Sequence, residues 1–173
     1  MNWIRDYWED RASSDSSAQA TTGDVYLRKI EQRVLADEIC ALEPLIVADL
    51  GCGDGRTTLS LAKQFPQTKF IGYDYAEAMI GIARTLRQTV DSNVDFQIHD
   101  ATSPLPFDVD LVYSTRCLIN LPSWELQKAV LLNVWKSLPL GGVYIAIENF
   151  IEGQDSFNEV RTAFGLPKIP VRD

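Results

Sequence analysis

Histidine is nearly absent from this chain, with His99 alone among 173 residues. Cysteine is scarce too: Cys40, Cys52 and Cys117 are odd in number, widely spaced and without a C-x-x-C pair. A disulfide framework or a zinc site needs clustered thiols or imidazoles, so the pattern reads as reduced thiols in a cytoplasmic protein. No apolar run approaches the roughly 18 residues that span a bilayer. The opening residues Met1-Asn2-Trp3-Ile4-Arg5-Asp6 lack a secretory leader pattern, and no membrane partner is expected. Bases are outnumbered, 16 against 24 acids, for a net charge of −8. That field repels phosphate backbones, so nucleic acid is not an expected partner. What remains is a length suited to one domain, with 46% hydrophobic residues to build its core.

The most informative stretch is Leu45-Ile46-Val47-Ala48-Asp49-Leu50-Gly51-Cys52-Gly53-Asp54-Gly55-Arg56. An apolar strand runs into an acid, then glycines at alternate positions, then a helix start. Such a turn lets a ligand lie against the backbone and aims N–H groups and a helix N-terminus at it. A second acid, Asp74, ends the next strand at about the ~20-residue offset of a ribose contact. Together they predict a nucleoside site at the carboxyl end of a parallel sheet. The dinucleotide fingerprint G-x-G-x-x-G is not met, because Arg56 stands at its third glycine. Acids at 49 and 54 would also repel a pyrophosphate, whereas they suit a ligand carrying an ammonium and a sulfonium.

The run V-A-D-L-G-C-G-D-G resembles motif I of the class I S-adenosylmethionine-dependent methyltransferases, and the resemblance covers roughly residues 45–147. It implies S-adenosyl-L-methionine as cofactor and site roles for particular residues. Asp49 and the backbone of Gly51, Cys52 and Gly53 would meet the methionine part. Asp74 would grip the ribose hydroxyls, a task that suits a carboxylate. Tyr75 and Met79 would pack beside adenine, with Met79 alternatively a core residue. Asp100 and the Ala101 N–H would meet the adenine edge, or Asp100 caps a turn before Ser103-Pro104. Ser114 would lie under the sulfonium.

Alternating helical and apolar strand patterns predict an α/β fold: a doubly wound, mainly parallel Rossmann-like methyltransferase sheet with helices on both faces. Strands are expected over residues 45–50, 69–73, 94–98, 109–114 and 143–147, the last covered on both faces. Thr22 is expected to cap a helix ended by Pro44. Further helices are expected over 57–65, 76–89, from Ser123 to 138, and over 156–164. Residues 1–44 read as an N-terminal lid and helical segment, with a polar loop over 11–23, and 45–173 as the cofactor-binding domain. The family's last two strands are not visible after Glu148. That leaves the fifth strand as an open edge, explained by truncation, by pairing with a second copy as a homodimer, or by the tail folding over it.

For the acceptor the sequence offers weaker signals. Trp8 and Arg11 either wall the acceptor pocket or belong to an aromatic cluster that anchors the N-terminal helix. Arg116 either binds an anionic group of the substrate or forms a structural salt bridge. Glu148 is expected to face the acceptor from the end of strand five. His99 reads as structural, so no catalytic residue is assigned; approach and desolvation of an already electrophilic methyl would supply the rate. The residues 113–116, Tyr-Ser-Thr-Arg, do not match the D/N-P-P-Y sequence of adenine and glutamine amino-methyltransferases, and no carboxylate cluster calls for a metal. The leading expectation is methyl transfer to an O or N atom of a small, possibly anionic, acceptor. The runners-up are an inactive cofactor-binding module or fragment, then a nicotinamide-dependent oxidoreductase.

Overall fold

The computed structural model describes residues 2–15, 17, 21, 24–89, 93–106 and 108–170. In chain order these form α1 (Asn2–Ser14), α2 (Val25–Leu42), β1 (Ile46–Leu50), α3 (Arg56–Gln64), β2 (Lys69–Asp74), α4 (Glu77–Arg87), β3 (Val94–Ile98) and β4 (Leu111–Thr115). A 3-10 turn (Leu118–Asn120), α5 (Trp124–Ser137), β5 (Val143–Ile147) and α6 (Ile151–Ala163) follow. The strands make one sheet in the order β3-β2-β1-β4-β5, every pairing parallel. The order reverses between β1 and β4, and the carboxyl ends of these two strands open the crevice where ligands bind in such sheets.

Strand alternation divides the core in two. Val47, Phe70, Phe96, Leu111 and Tyr113 face Leu35 and Ile39 of α2, Leu59 and Leu61 of α3 and Ile80 and Ala83 of α4. Ala48, Leu50, Ile71, Tyr73 and Val112 face Val130 and Val134 of α5. A third, smaller cluster joins Ala12 of α1 to Ala76 and Met79 at the start of α4, with Trp8 against it.

Several boundaries differ from the sequence reading. The loop expected from Arg11 begins later, because α1 continues to Ser14, with the Ser13 and Ser14 hydroxyls bonding back to the carbonyls of Glu9 and Arg11. Thr22 lies outside the described residues; α2 starts at Val25, capped by Asp24, whose carboxylate accepts the Tyr26 and Leu27 N–H groups. Ser123 caps α5 as expected, accepting from the Leu126 N–H. The last helix starts five residues earlier than expected, at Ile151.

β5 is the clearest departure. Expected to be covered on both faces, it is half-exposed at all five positions, because β4 is its one strand neighbour among the described residues. Among the described residues, the tail bonds to α6. Gln154 and Asn158 of α6 donate to the Ile169 carbonyl, Asn158 accepts the Ile169 N–H, and Arg161 holds the Pro167 carbonyl.

Candidate active site

The glycine turn after β1 forms where the sequence places it, and its alternate glycines serve different neighbours. A Cβ on Gly55 (φ +72) would stand 2.5 Å from the Phe96 ring and 2.8 Å from Ala83, so this glycine lets the turn seat on the core. A Cβ on Gly51 (φ +78) would stand 2.7 Å from the Cys117 sulfur, so that glycine bounds the crevice between β1 and β4. The Gly51 and Cys52 N–H groups both donate to the Tyr73 carbonyl, pinning the turn to the end of β2.

Three carboxylates surround this turn. Asp49 is buried at the end of β1, and one of its oxygens accepts the Thr58 hydroxyl and, at 2.8 Å, the Tyr113 hydroxyl. Burial pushes its pKa up to about 7 despite those bonds. Asp74 accepts the Gly53 N–H at 2.9 Å on one oxygen and the Ala76 N–H at 2.9 Å on the other. Asp54 is buried, held by Arg56 at 3.0 Å. Burial raises the pKa of Asp74 and Asp54 as well. Desolvated acids gathered around one turn make a place where a cation is favoured. A ligand bearing ammonium and sulfonium fits this donor set, and a pyrophosphate does not.

Polar atoms without partners point the same way. The hydroxyls of Tyr75, just after β2, and Thr115, at the end of β4, are buried and have no hydrogen-bond partner among the described residues. Such groups are expensive unless a ligand or water meets them. Cys52 lies with its sulfur against Gly72, its thiol pushed up by burial.

Other expected cofactor contacts find different surroundings. Met79 is packed in the α1–α4 cluster, which supports its core alternative. Asp100 is exposed and caps a turn, accepting the Thr102 N–H and hydroxyl at 2.8 and 2.7 Å, with Ala101 beside it. Ser114 is fully buried and bonds the Tyr144 hydroxyl at 2.8 Å and Glu148 at 3.2 Å. Its side chain thus points to the α5 side of the sheet, whereas Asp49 and Tyr113 face α3. His99 leans on the Tyr73 ring, 5.3 Å between centroids, and meets the Ser103 carbonyl.

On the acceptor side, Arg116 stands 3.2 Å from Glu31 of α2, so the salt-bridge alternative is present. Burial raises the Glu31 pKa against the pull of Arg116 and Arg28. Arg28 reaches across to the Thr21 hydroxyl at 2.7 Å, and the Thr21 methyl lies 2.9 Å from where a Gly53 Cβ would be. Arg28, Arg56 and Arg116 are near enough to lower the Arg28 pKa by mutual repulsion, behind the larger effect of burial. Trp8 packs on α4 and edge-on to Tyr7, the anchoring alternative, with half-buried Arg11 in the last turn of α1. Glu148 departs furthest from expectation. Its carboxylate is not directed at an acceptor but takes the N–H groups of Cys117, Leu118 and Ile119.

Sequence reasoning missed several long-range contacts, two of them made by carboxylates that hold helix or turn starts. Glu148 is one. Glu9 of α1 is the other: its carboxylate caps α4, accepting the Glu77 and Ala78 N–H groups at 2.7 and 2.9 Å. The only local signal was the apolar Ala76 at the N-cap position, which left the helix without a side-chain cap of its own.

Comparison with known proteins agrees with this geometry. The model of the methyltransferase domain family matches residues 47–142. The chain is 31% identical over 138 residues to a malonyl-acyl-carrier-protein O-methyltransferase of Bacillus cereus, covering 78% of this chain and 48% of the relative. It is 33% identical over 126 residues to a trans-aconitate 2-methyltransferase of Variovorax paradoxus, covering 69% and 46%. The chain thus spans about half the length of these curated relatives. Among solved structures, the fold matches the N-methyltransferase NodS of Bradyrhizobium japonicum in complex with S-adenosylhomocysteine, with a TM-score of 0.70, 18% identity and coverage of 83% of this chain and 71% of that one. A phosphoethanolamine N-methyltransferase of Haemonchus contortus gives a TM-score of 0.67 at 24% identity, covering 87% and 33%. The chain belongs to the methyltransferase domain family, within the class I S-adenosylmethionine-dependent methyltransferases.

Proposed function

We propose that this chain binds S-adenosylmethionine at the glycine turn and that its protein transfers the methyl group to an O or N atom of a small, anionic acceptor. The observation that carries the reading is the enclosure of residues 51–55 by buried Asp49 and half-buried Asp74, with the unpartnered hydroxyls of Tyr75 and Thr115 alongside. When bound, the cofactor supplies a methyl group already made electrophilic by its sulfonium. Asp49 would stabilise the ammonium end, and Asp74 would accept from the ribose while keeping the Gly53 N–H. The backbone at Gly51, Cys52 and Gly53 would line the methionine part, with Tyr75 beside the nucleoside. Asp100 has a second oxygen beyond its turn contacts and would meet the adenine edge together with the Ala101 N–H.

An acidic acceptor fits two facts. The relatives in Bacillus and Variovorax are named for malonyl and trans-aconitate substrates. In a chain of net charge −8, the guanidinium groups of Arg28, Arg56 and Arg116 gather by the crevice. Attraction of one carboxylate to Arg116 would steer the acceptor toward the carboxyl end of β4. The side chains here are suited to binding, orienting and excluding water, which is enough for in-line transfer.

Calorimetry tests the cofactor. Binding of S-adenosylmethionine and S-adenosylhomocysteine without binding of NAD supports the reading, and NAD binding alone overturns it. Methyl transfer from labelled cofactor to a panel of malonyl thioesters, tricarboxylates and amines tests the acceptor. Tight S-adenosylhomocysteine binding with no turnover on any of them would favour a non-catalytic binding module.

A further inference from the structure

We infer that Glu148 is a positioning residue whose carboxylate clamps the turn after β4 and so sets the wall of the crevice opposite the glycine turn. The inference rests on the methyltransferase reading of that crevice. One oxygen of Glu148 accepts the Cys117 N–H at 2.9 Å, the Leu118 N–H at 3.0 Å and the Ser114 hydroxyl at 3.2 Å. The other accepts the Ile119 N–H at 3.2 Å. These N–H groups open a 3-10 turn and have no partner within it, so an acceptor must come from elsewhere. Glu148 follows β5 directly and Ser114 lies in β4, so one side chain ties two strands and the turn together.

The clamped backbone is an unusual one. Arg116 has φ 53, in the left-handed region that a residue with a long side chain avoids unless its surroundings hold it. Three contacts hold Arg116 itself: its N–H donates to the Ile147 carbonyl at 2.8 Å, its carbonyl accepts from Asn120 at 2.6 Å, and Glu31 pairs with its guanidinium. Glu148 holds the three residues that follow. The result is that Cys117 lies beside the glycine turn, its sulfur 2.7 Å from where a Gly51 Cβ would stand. Cys117 fills the space that the missing Gly51 side chain leaves, so the position of the turn after β4 sets how that side of the crevice is closed. Sequence separation of about thirty residues hides this clamp from any local pattern.

The test compares Glu148→Gln, Glu148→Asp and, as a control, Glu159→Gln on the exposed face of α6. Two readouts are taken: amide hydrogen exchange at Cys117, Leu118 and Ile119, and calorimetric affinity for S-adenosylhomocysteine. The amide of Glu148→Gln replaces one acceptor oxygen with a donor. Exchange at these amides should quicken by about ten-fold, and affinity should fall by about ten-fold, as for the loss of one charge-assisted bond. Glu148→Asp keeps the charge on a shorter arm and should recover part of both, and it carries the measurement if the glutamine variant does not fold. Glu159→Gln should match the parent. Parental exchange at the three amides in Glu148→Gln overturns the clamp, and quickened exchange with parental affinity overturns its positioning role. Failure of the parent protein to bind S-adenosylhomocysteine would instead overturn the methyltransferase reading, while the exchange data still report on the clamp.

Discussion

β2 carries four consecutive buried residues, 70–73, while all five residues of β5 are half-exposed. The helices differ less, since Tyr26 and Ile30 of α2 are also more than half exposed. On the cofactor side, α2, α3 and α4 share one core with β1, β2 and β3, and α1 is latched onto α4 by Glu9. Beside β5, Trp124 and Trp135 of α5, and Phe157 and Phe164 at α6, stand more than half exposed. Leu140, between α5 and β5, is fully exposed. The two sides teach different things about what sequence fixes. Where ligand chemistry is general, as for the nucleoside, residues close in sequence build the site and the surrounding core is filled. At the β5 edge, contacts come from distant segments and the packing is open.

The comparison breaks most visibly at Gly55. Gly55→Val should destabilise the protein by about 3 kcal/mol or more, since left-handed backbone and overlap with Phe96 both oppose a β-branched residue. A thermal melt like the parent's would refute the packed turn. Leu61→Ala, at a fully buried site on α3, should cost about 2–5 kcal/mol, and Ile145→Ala on half-exposed β5 clearly less. Equal losses in denaturant unfolding would mean that β5 is as well packed as the cofactor side.

Asp74→Ala should weaken S-adenosylhomocysteine binding by about 1.5–3 kcal/mol, because the proposed ribose contact and the bond to the Gly53 N–H would be lost together. Unchanged affinity by calorimetry would place the ribose elsewhere.

Protonation sharpens the same contrast. Asp49 has its pKa raised by burial to about 7, above that of an unfolded carboxylate, so the free folded protein binds a proton there that the unfolded chain has lost. Its contribution to stability is complete below the unfolded pKa near 4 and fades as pH rises through about 7. A ligand ammonium favours the ionised form, so cofactor affinity should rise over the same interval. Melting and binding measured from pH 5 to 8 should move in opposite directions, and Asp49→Asn should flatten both. A parental slope retained in Asp49→Asn would assign the titration to another group. The smallest effect belongs to the open side: Trp135→Ser should shift stability by no more than about 0.5 kcal/mol. A larger loss would show that this surface is packed in solution.

Much of the cofactor side was legible because its signals are local. Asp49, the glycine turn and Asp74 sit within one strand–turn–helix–strand unit, and apolar runs marked all five strands to within two residues at their starts. The rest depended on pairings that no periodicity records. Arg116 meets Glu31 across 85 residues, and Glu9 reaches Glu77 across 68. Met79 carries the spacing of a ligand contact, while its packing with Ala12 and Trp8 of α1 depends on a segment 65 or more residues away. Ser13 and Ser14 read as loop, yet they close α1, their hydroxyls bonded back to carbonyls a turn earlier.

The most direct measurement is a backbone amide NMR titration with S-adenosylhomocysteine above pH 7. Shifts should concentrate at residues 51–55 and 74–76 and saturate with one-to-one stoichiometry. No saturable change, or changes confined to β5 and α6, would contradict a nucleoside site between the glycine turn and Asp74.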